Sequence, residues 1–352
     1  MNLPKVSIII LNYNGGDFVL NCLKSIYQTN DISFEIILID NDSNDNSQNH
    51  CKEKFSDIIL IENKENIGMG ARTIGINKAN GEYIAFLDYD TIVEPNWLKK
   101  FLKSFQEHGS GLYQPKLLEL ENKNIINSAG NMINPFGLGF SRGKGQKDEG
   151  QYNKFQQISY TSGACTFSSS KIMKQLKKVD PIFFLYHDDL DFGWRANLMG
   201  ISSFYEPQIS VYHYGSPNLQ WSGKKFYYLE RNRWICLKSL YSEKTYREIF
   251  PYLAIFEIGI FFYLLVKGLG IQKIKSTYSI LKLKNEIQKK REDTIKNRKI
   301  LDSKIIENFT SEFYFPEILV KGKKRSIISK IIENLSRKMI KRISHQADNS
   351  KS

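Results

Sequence analysis

The 352-residue chain has little sulfur, histidine or proline: four Cys, five His and nine Pro. Cys22, Cys51, Cys165 and Cys236 stand far apart with no CxxC spacing. This argues against a disulfide framework and for reduced thiols in the cytosol. No signal-peptide pattern precedes the strand-like run VSIIIL, which points the same way. The first strand is not followed by a GxGxxG that opens a helix, and no GxxxxGK[ST] occurs. Neither a dinucleotide fingerprint nor a P-loop is supported. Acids are the minority charge, 37 against 50 Lys and Arg, for a formal net charge of +13. Such an excess calls for an anionic partner: nucleic acid, anionic lipid or a phosphorylated substrate. Apolar residues, at 41%, are not scarce, so most of the chain folds around a core.

The N-terminal third alternates β and α. KVSIIIL, FEIILID, IILIEN and Tyr83 to Leu87 read as strands, and helical stretches lie between them. That rhythm predicts an α/β fold: a Rossmann-like, mostly parallel sheet flanked by helices and followed by a helical C-terminal region. Ligands of such sheets bind beyond the carboxyl ends of the strands. Polar clusters fall there four times: NYNGG, DNDSND, NKENIGMG and DYD. Each alone is an ordinary turn; together they describe a cleft. Farther on, INPFGLGFSRGKGQKDEG reads as a Gly-rich mobile loop, and ISYTSGACTFSSS as a small-residue turn open to close approach.

Asp88 and Asp90, one residue apart at the end of an apolar strand, repel each other and are costly to desolvate. Either they face open water or a cation sits between them. A second acidic cluster, YHDDLDFGWR, places Asp191 one helical turn before Arg195, a spacing for a structural ion pair. Asp188 and Asp189 then sit at a helix start, where carboxylates also cap backbone amides.

The ordered motifs VSIIILNYNG, EIILIDNDSND, NIGMGARTIGINKANGEYIAFLDYD, DDLDFGWRANLMG and VYHYGS resemble family 2 glycosyltransferases of the GT-A fold. The likeness is greatest to rhamnosyltransferase-like members that build bacterial surface polysaccharides, and it spans about residues 5 to 240. It implies an inverting transfer of a single sugar from dTDP-rhamnose or a UDP-sugar to a lipid-linked or polysaccharide acceptor. By that resemblance DYD is a DXD motif holding Mg2+ or Mn2+ against a diphosphate. Asp90 is the metal position, Asp88 lies nearer the ribose and phosphate, and His213 is a further metal or phosphate contact. Asp189 takes the place of the catalytic base, with Asp188 as the alternate where the family often carries Glu-Asp. Asn12, Tyr13, Asp40, Asn41, Asp42, Asn66, Gly68 and Arg72 fall at nucleotide-sugar positions. Trp97, Gly163 and Ala164 fall at acceptor-side positions. Two other readings keep the same residues: a nucleotidyltransferase using the cleft, and a non-catalytic, anion-binding scaffold.

The expected organisation is a catalytic domain over 1–240, divided into a nucleotide-binding half (1–110) and an acceptor half (111–240). A helical, basic region follows over 241–352. YYLERNRWICLKSLY approaches the Q/RxxRW signature of processive synthases, but Glu230 stands where Gln or Arg is required. Ile249 to Ile271 is long enough to span a bilayer, yet Glu257 interrupts it, which favours an interfacial or buried helix. From Lys321 to His345 nine Lys or Arg face one acid, Glu333, beside an isoleucine-rich helical stripe. That basic stripe suits an anionic membrane surface. It lacks the interleaved aromatics of a nucleic-acid groove, so no nucleic-acid partner is expected. The expected location is cytoplasmic, peripheral on the inner face of the cell membrane.

Overall fold

The computed structural model describes residues 4–215, 222–313 and 327–346. The chain divides into two compact units. The first is drawn from residues up to Asn131, from Ser141–Ala196 and from Ile201 onward. The second comprises Met132–Phe140, Asn197–Gly200 and the helices after residue 222.

The first unit opens as β1 (Val6–Asn12), α1 (Gly16–Ile26), β2 (Phe34–Asp40), α2 (Ser47–Lys54) and β3 (Ile59–Glu62). It continues with α3 (Arg72–Lys78), β4 (Tyr83–Asp88), β5 (Thr91–Val93), α4 (Trp97–His108), β6 (Leu112–Glu119) and β7 (Ile126–Ser128). After the hairpin β8 (Asn131–Asn134) and β9 (Leu138–Ser141), which falls mostly in the second unit, come β10 (Gln156–Ile158), β11 (Cys165–Ser169), α5 (Ser170–Gln175), α6 (Asp188–Leu198) and β12 (Ser203–His213).

One ten-stranded sheet runs β10-β12-β6-β11-β4-β1-β2-β3, with β5 paired to β12 and β7 to β6. The segment β4-β1-β2-β3 is parallel, as its Ile-rich strands predict. All seven residues of β1 are buried, and a strand covered on both faces reads as a continuous apolar run. β11 runs antiparallel to β4 and brings the middle third of the chain into the same sheet. Chain order reverses beside β1, where Leu11 lies opposite Asp88. A reversal of this kind opens a crevice at the carboxyl edge.

INPFGLGFSRG is not a loop. It holds the β8–β9 hairpin, closed by a hydrogen bond from Gly137 N to Asn134 O (2.8 Å) with Gly137 at φ +77. The sequence Asn-Pro-Phe-Gly is turn chemistry, and the glycine supplies the left-handed residue it needs.

The second unit holds α7 (Gly223–Leu240), α8 (Glu243–Val266), α9 (Gly270–Lys282), α10 (Lys284–Asn297), α11 (Asp302–Ile305) and α12 (Ile327–Ser344). α7 packs on α9 and α10, and α12 packs on α8 and α11. Of the basic tail, residues 321–326 lie outside the described residues. Within α12 the membrane expectation needs correction. Ile332, Met339 and Ile343 are buried in the unit's own core, and Ser336 Oγ accepts from Asn134 Nδ2 (2.9 Å). Much of the apolar stripe is taken up by packing, while Ile328 and Ile331 stay exposed.

Candidate active site

Strand β4 delivers Asp88 to the sheet edge, and the turn through Tyr89 places Asp90 beside it. Strand β5 then doubles back to pair with the end of β12, setting His213 opposite Thr91. Two neighbouring aspartates thereby acquire an imidazole more than a hundred residues away in sequence. His213 Nε2 lies 3.4 Å from Asp90 Oδ1 and 4.0 Å from Asp88 Oδ2. One ligand atom from each of the three residues falls within 4.8 Å of the others. His213 Nε2 is buried and makes no well-aligned hydrogen bond. On the far side of the ring, Nδ1 pairs with Asn127 Oδ1 at 3.2 Å. With Nδ1–H donating there, Nε2 keeps its lone pair toward the aspartates. Two carboxylates and one such nitrogen fit a hard divalent cation and leave positions for other oxygen ligands. Burial alone would lower the His213 pKa; Asp90 and then Asp88 outweigh it and raise it.

Arg72 ties this cluster to the rest of the edge. Its Nη2 donates to Asp88 Oδ1 (2.5 Å) and to Gly163 O (2.9 Å), and its guanidinium lies 5.2 Å from the Phe86 ring centroid. The side chain is almost fully buried. Arg72, expected at a nucleotide-sugar position, is held here through Nη2 by Asp88 and the Gly163 turn. Asp88 is left with Oδ2 on the side of Asp90 and His213.

Beyond Gly163 stands the second acidic pair. Gly163 N donates to Asp189 Oδ2 (3.2 Å), and Leu190 N donates to Asp189 Oδ1 (2.8 Å). Asp188 is buried, and its carboxyl is pushed up to about 8 by burial first and by Asp189 second. Burial raises Asp189 as well, opposed by its backbone donors and by Arg72. Backbone N–H groups favour an ionised carboxylate. Burial thus raises both carboxyls, and at Asp189 the backbone donors Gly163 and Leu190 act against that rise. The predicted Asp191–Arg195 pair forms at 2.8 Å, with Asp191 fully buried.

Just before this pair, Phe184, Tyr186 and His187 all have φ near +60. Left-handed backbone at bulky residues stores strain, which clusters at functional sites. The conformation is gripped from one side, since Met69 N donates to Phe184 O (2.8 Å). A Cβ on Gly68 would meet that same oxygen at 2.2 Å. Gly68 is therefore a packing glycine, a correction to its expected nucleotide contact.

Several other expected ligand contacts are occupied internally. Asn12 is buried, and its Nδ2 donates to Asp40 Oδ1 (2.8 Å) and Ser47 Oγ (2.9 Å). Asp40 Oδ2 accepts from Ser43 N (2.9 Å). Asn41 donates to Asn66 Oδ1 (2.8 Å) and Gly68 O (3.2 Å) and accepts from Asn63 (3.0 Å). These side chains build the loops. Tyr13, 42% exposed, and Asp42, exposed at φ 69, remain open at the ends of β1 and β2. Trp97 is corrected outright: it is fully buried in the core, and its Nε1 donates to Thr29 Oγ1 (3.2 Å). Ala164 is buried too, its carbonyl accepting from Asp88 N (3.0 Å); its part is structural. Asn127 and the strained Phe184–His187 stretch are residues that sequence reasoning missed. No local pattern marks either.

Residues 7–177 match the family model described as Glycosyl transferase family 2. EpsH of Bacillus subtilis (strain 168), named as a glycosyltransferase, is 34% identical over 107 residues, 30% of this chain and 31% of EpsH. The poly(ribitol-phosphate) beta-glucosyltransferase of Bacillus spizizenii is 32% identical over 138 residues, 37% of this chain and 22% of that protein. The chain thus spans about a third or less of the length of these relatives. The crystal structure of GalNAc-T7 with UDP, GalNAc and Mn2+ superposes with a TM-score of 0.56 at 18% identity, covering 71% of this chain and 50% of that one. The likeness is one of fold, the GT-A class expected from the sequence. Over residues 7–177, just under half of its length, the chain is similar to glycosyl transferase family 2.

Proposed function

We propose that the chain is an inverting, divalent-cation-dependent glycosyltransferase. It moves one sugar from a nucleotide-diphosphate sugar to a hydroxyl of a lipid-linked oligosaccharide or a surface-polysaccharide precursor. The observation that carries the reading is a single connected edge: Asp88, Asp90 and His213 on one side, Asp189 on the other, joined through Arg72 and Gly163. Asp90, His213 and Asp88 Oδ2 would hold Mg2+ or Mn2+, which when bound supplies Lewis-acid stabilisation of the departing diphosphate. Asp189 accepts the proton of the acceptor hydroxyl as that oxygen bonds to the anomeric carbon and the bond to the diphosphate breaks on the opposite face. Asp189 accepts from two backbone N–H groups, of Gly163 and Leu190, which favour its carboxylate form for this role. Tyr13 and Asp42 are the exposed side chains placed to meet the nucleoside.

GalNAc-T7 was crystallised with UDP, and the Bacillus spizizenii relative is named as a glucosyltransferase. The first supports a UDP-sugar as donor, and the second a hexose as the transferred sugar. The proposed location is the inner face of the cell membrane, where a lipid-linked acceptor would be met. The test is nucleoside diphosphate release from a panel of nucleotide-sugars with Mg2+ or Mn2+. Wild type should release diphosphate, and chelator or Asp90→Ala should slow this by about a thousandfold. Asp189→Asn should retain metal and donor binding and lose transfer to acceptor. Silence across the panel, with no nucleotide binding by calorimetry, would refute the proposal.

A further inference from the structure

We infer that the outer face of α8 and α9 is a lipid-contact surface that lies in the plane of an anionic bilayer. The inference rests on the peripheral location proposed above and names the surface that produces it. The sequence offered both the basic tail and an interfacial Ile249–Ile271 for this contact, but α12 turns most of its apolar stripe inward. Helix α8 does the reverse. It is long and apolar enough to cross a membrane, yet only 22% of its apolar window is buried. A core helix would be mostly covered. Ile255, Ile258, Phe262 and Val266 follow one another at helical spacing and are all exposed, Val266 at 86%. Ile274 and Leu281 continue the surface along α9.

The charge on this face selects its occupant. Between residues 250 and 282 the sequence has one acid, Glu257. Its carboxylate is turned inward, to Arg233 Nη2 (2.5 Å) and to Lys273. Exposed charge over the same stretch is all cationic: Lys267, Lys275 and Lys282. The Nζ atoms of Lys267 and Lys282 sit over the rings of Tyr263 and Tyr278, 5.7 and 4.7 Å from the centroids. Apolar side chains bordered by tyrosine and lysine, with no exposed acid, match the acyl–headgroup boundary of an anionic leaflet. An interface with a second protein ordinarily has a rim of mixed polar character. Crossing the bilayer is disfavoured because the inner side of α8 is tied through Glu257 to charges on α7 and α9. One face is fixed to protein and the other is free for lipid.

The experiment uses the full chain carrying an environment-sensitive dye on Val266→Cys; all four native cysteines are buried. Vesicles of phosphatidylcholine with phosphatidylglycerol should shift the dye to the blue, and pure phosphatidylcholine should do so far less. Ile258→Glu with Phe262→Glu should weaken vesicle binding at least tenfold, and each of Lys267→Gln, Lys275→Gln and Lys282→Gln by roughly fivefold. The lysine variants keep the test open if the double variant fails to fold. Diphosphate release without vesicles should be unchanged in the lysine variants, so failure of the surface and failure of the enzyme reading are distinguishable. Three results would overturn the inference: a dye already shielded without lipid, face variants that bind as wild type does, or a wild-type dimer that the face variants dissociate.

Discussion

The two units each bury a cluster of charge, and the clusters have opposite balances. In the second unit two acids, Glu230 and Glu257, meet two bases, Arg233 and Lys273. Arg233 donates to Glu230 (3.0 and 2.7 Å) and to Glu257 (2.5 Å), and Lys273 bonds both acids. Burial alone would raise the Glu230 pKa, but Arg233 and Lys273 hold it at about 2. In the first unit Asp88, Asp90, Asp188 and Asp189 gather near one arginine and one histidine. There burial raises Asp88, Asp188 and Asp189, opposed by Arg72, and neighbouring carboxylates add to the rise at Asp88 and Asp188. The balanced cluster is complete as it stands. The acid-rich cluster would be completed by the cation and the proton that the proposed function assigns to it. Charge balance thus distinguishes a structural ion network from a site.

The largest expected effect comes from unbalancing the structural cluster. Arg233→Met leaves two buried glutamates with a single lysine and should destabilise the chain by about 3–5 kcal/mol. Adding Glu257→Gln restores one acid to one base and should recover a substantial part of that loss. Urea denaturation of the single and double variants measures both. A single variant that unfolds at the same urea concentration as wild type would show that charge balance does not stabilise this cluster.

A smaller effect follows from the acid-rich cluster. The folded pKa of Asp188 stands at about 8, whereas an unfolded aspartate titrates near its ordinary value of about 3.9. The folded state therefore binds the extra proton across this window, and stability must fall as pH rises through it. The contribution is fully present below about pH 4 and is lost by about pH 8. Asp188→Asn, with chelator present, should flatten that decline and exceed wild type at pH 8 by on the order of a few kcal/mol. Thermal melts at pH 5, 6.5 and 8 check this; a wild-type profile that rises over this range would contradict the assignment of the proton.

The two clusters also show why parts of the molecule were legible in advance. β1, β2 and β4 could be read because strands buried on both faces are written as unbroken Ile, Leu and Phe. Asp88 and Asp90 drew notice because two carboxylates at the end of an apolar strand are costly to desolvate, and the structure does bring them together. Partnership was not legible. Arg72 stood out as a site residue, but nothing near it in sequence shows that Phe86, Asp88 and Gly163 enclose it. Asn12 and Asn41 looked like ligand contacts because a loop-building asparagine and a ligand-binding one share the same composition. Trp97 carries no local sign of the core it fills. The β8–β9 hairpin was hidden by its glycines, which read as mobility where they supply a turn. In α12 the period of the stripe was correct, but periodicity cannot say whether protein or lipid covers it.

Asn127 provides the finest test of the comparison, because it is uncharged and leaves the balance untouched. It lies 3.2 Å from His213 Nδ1, on the side of the ring away from the aspartates. If the acid-rich cluster is a cation site, Asn127 fixes the tautomer that aims Nε2 at the metal, and such partners contribute roughly 10–100-fold to affinity. Asn127→Ala should weaken Mn2+ binding, followed by electron paramagnetic resonance of free Mn2+, by about tenfold. Fold stability should change little, since the backbone of His213 stays paired with β5 and no buried charge is exposed. Asn127→Asp should act in the opposite direction, because a carboxylate behind the ring makes the imidazole a stronger ligand. If both variants bind Mn2+ as wild type does, His213 is not a ligand, and the cation is held by the two aspartates and the donor's own oxygens.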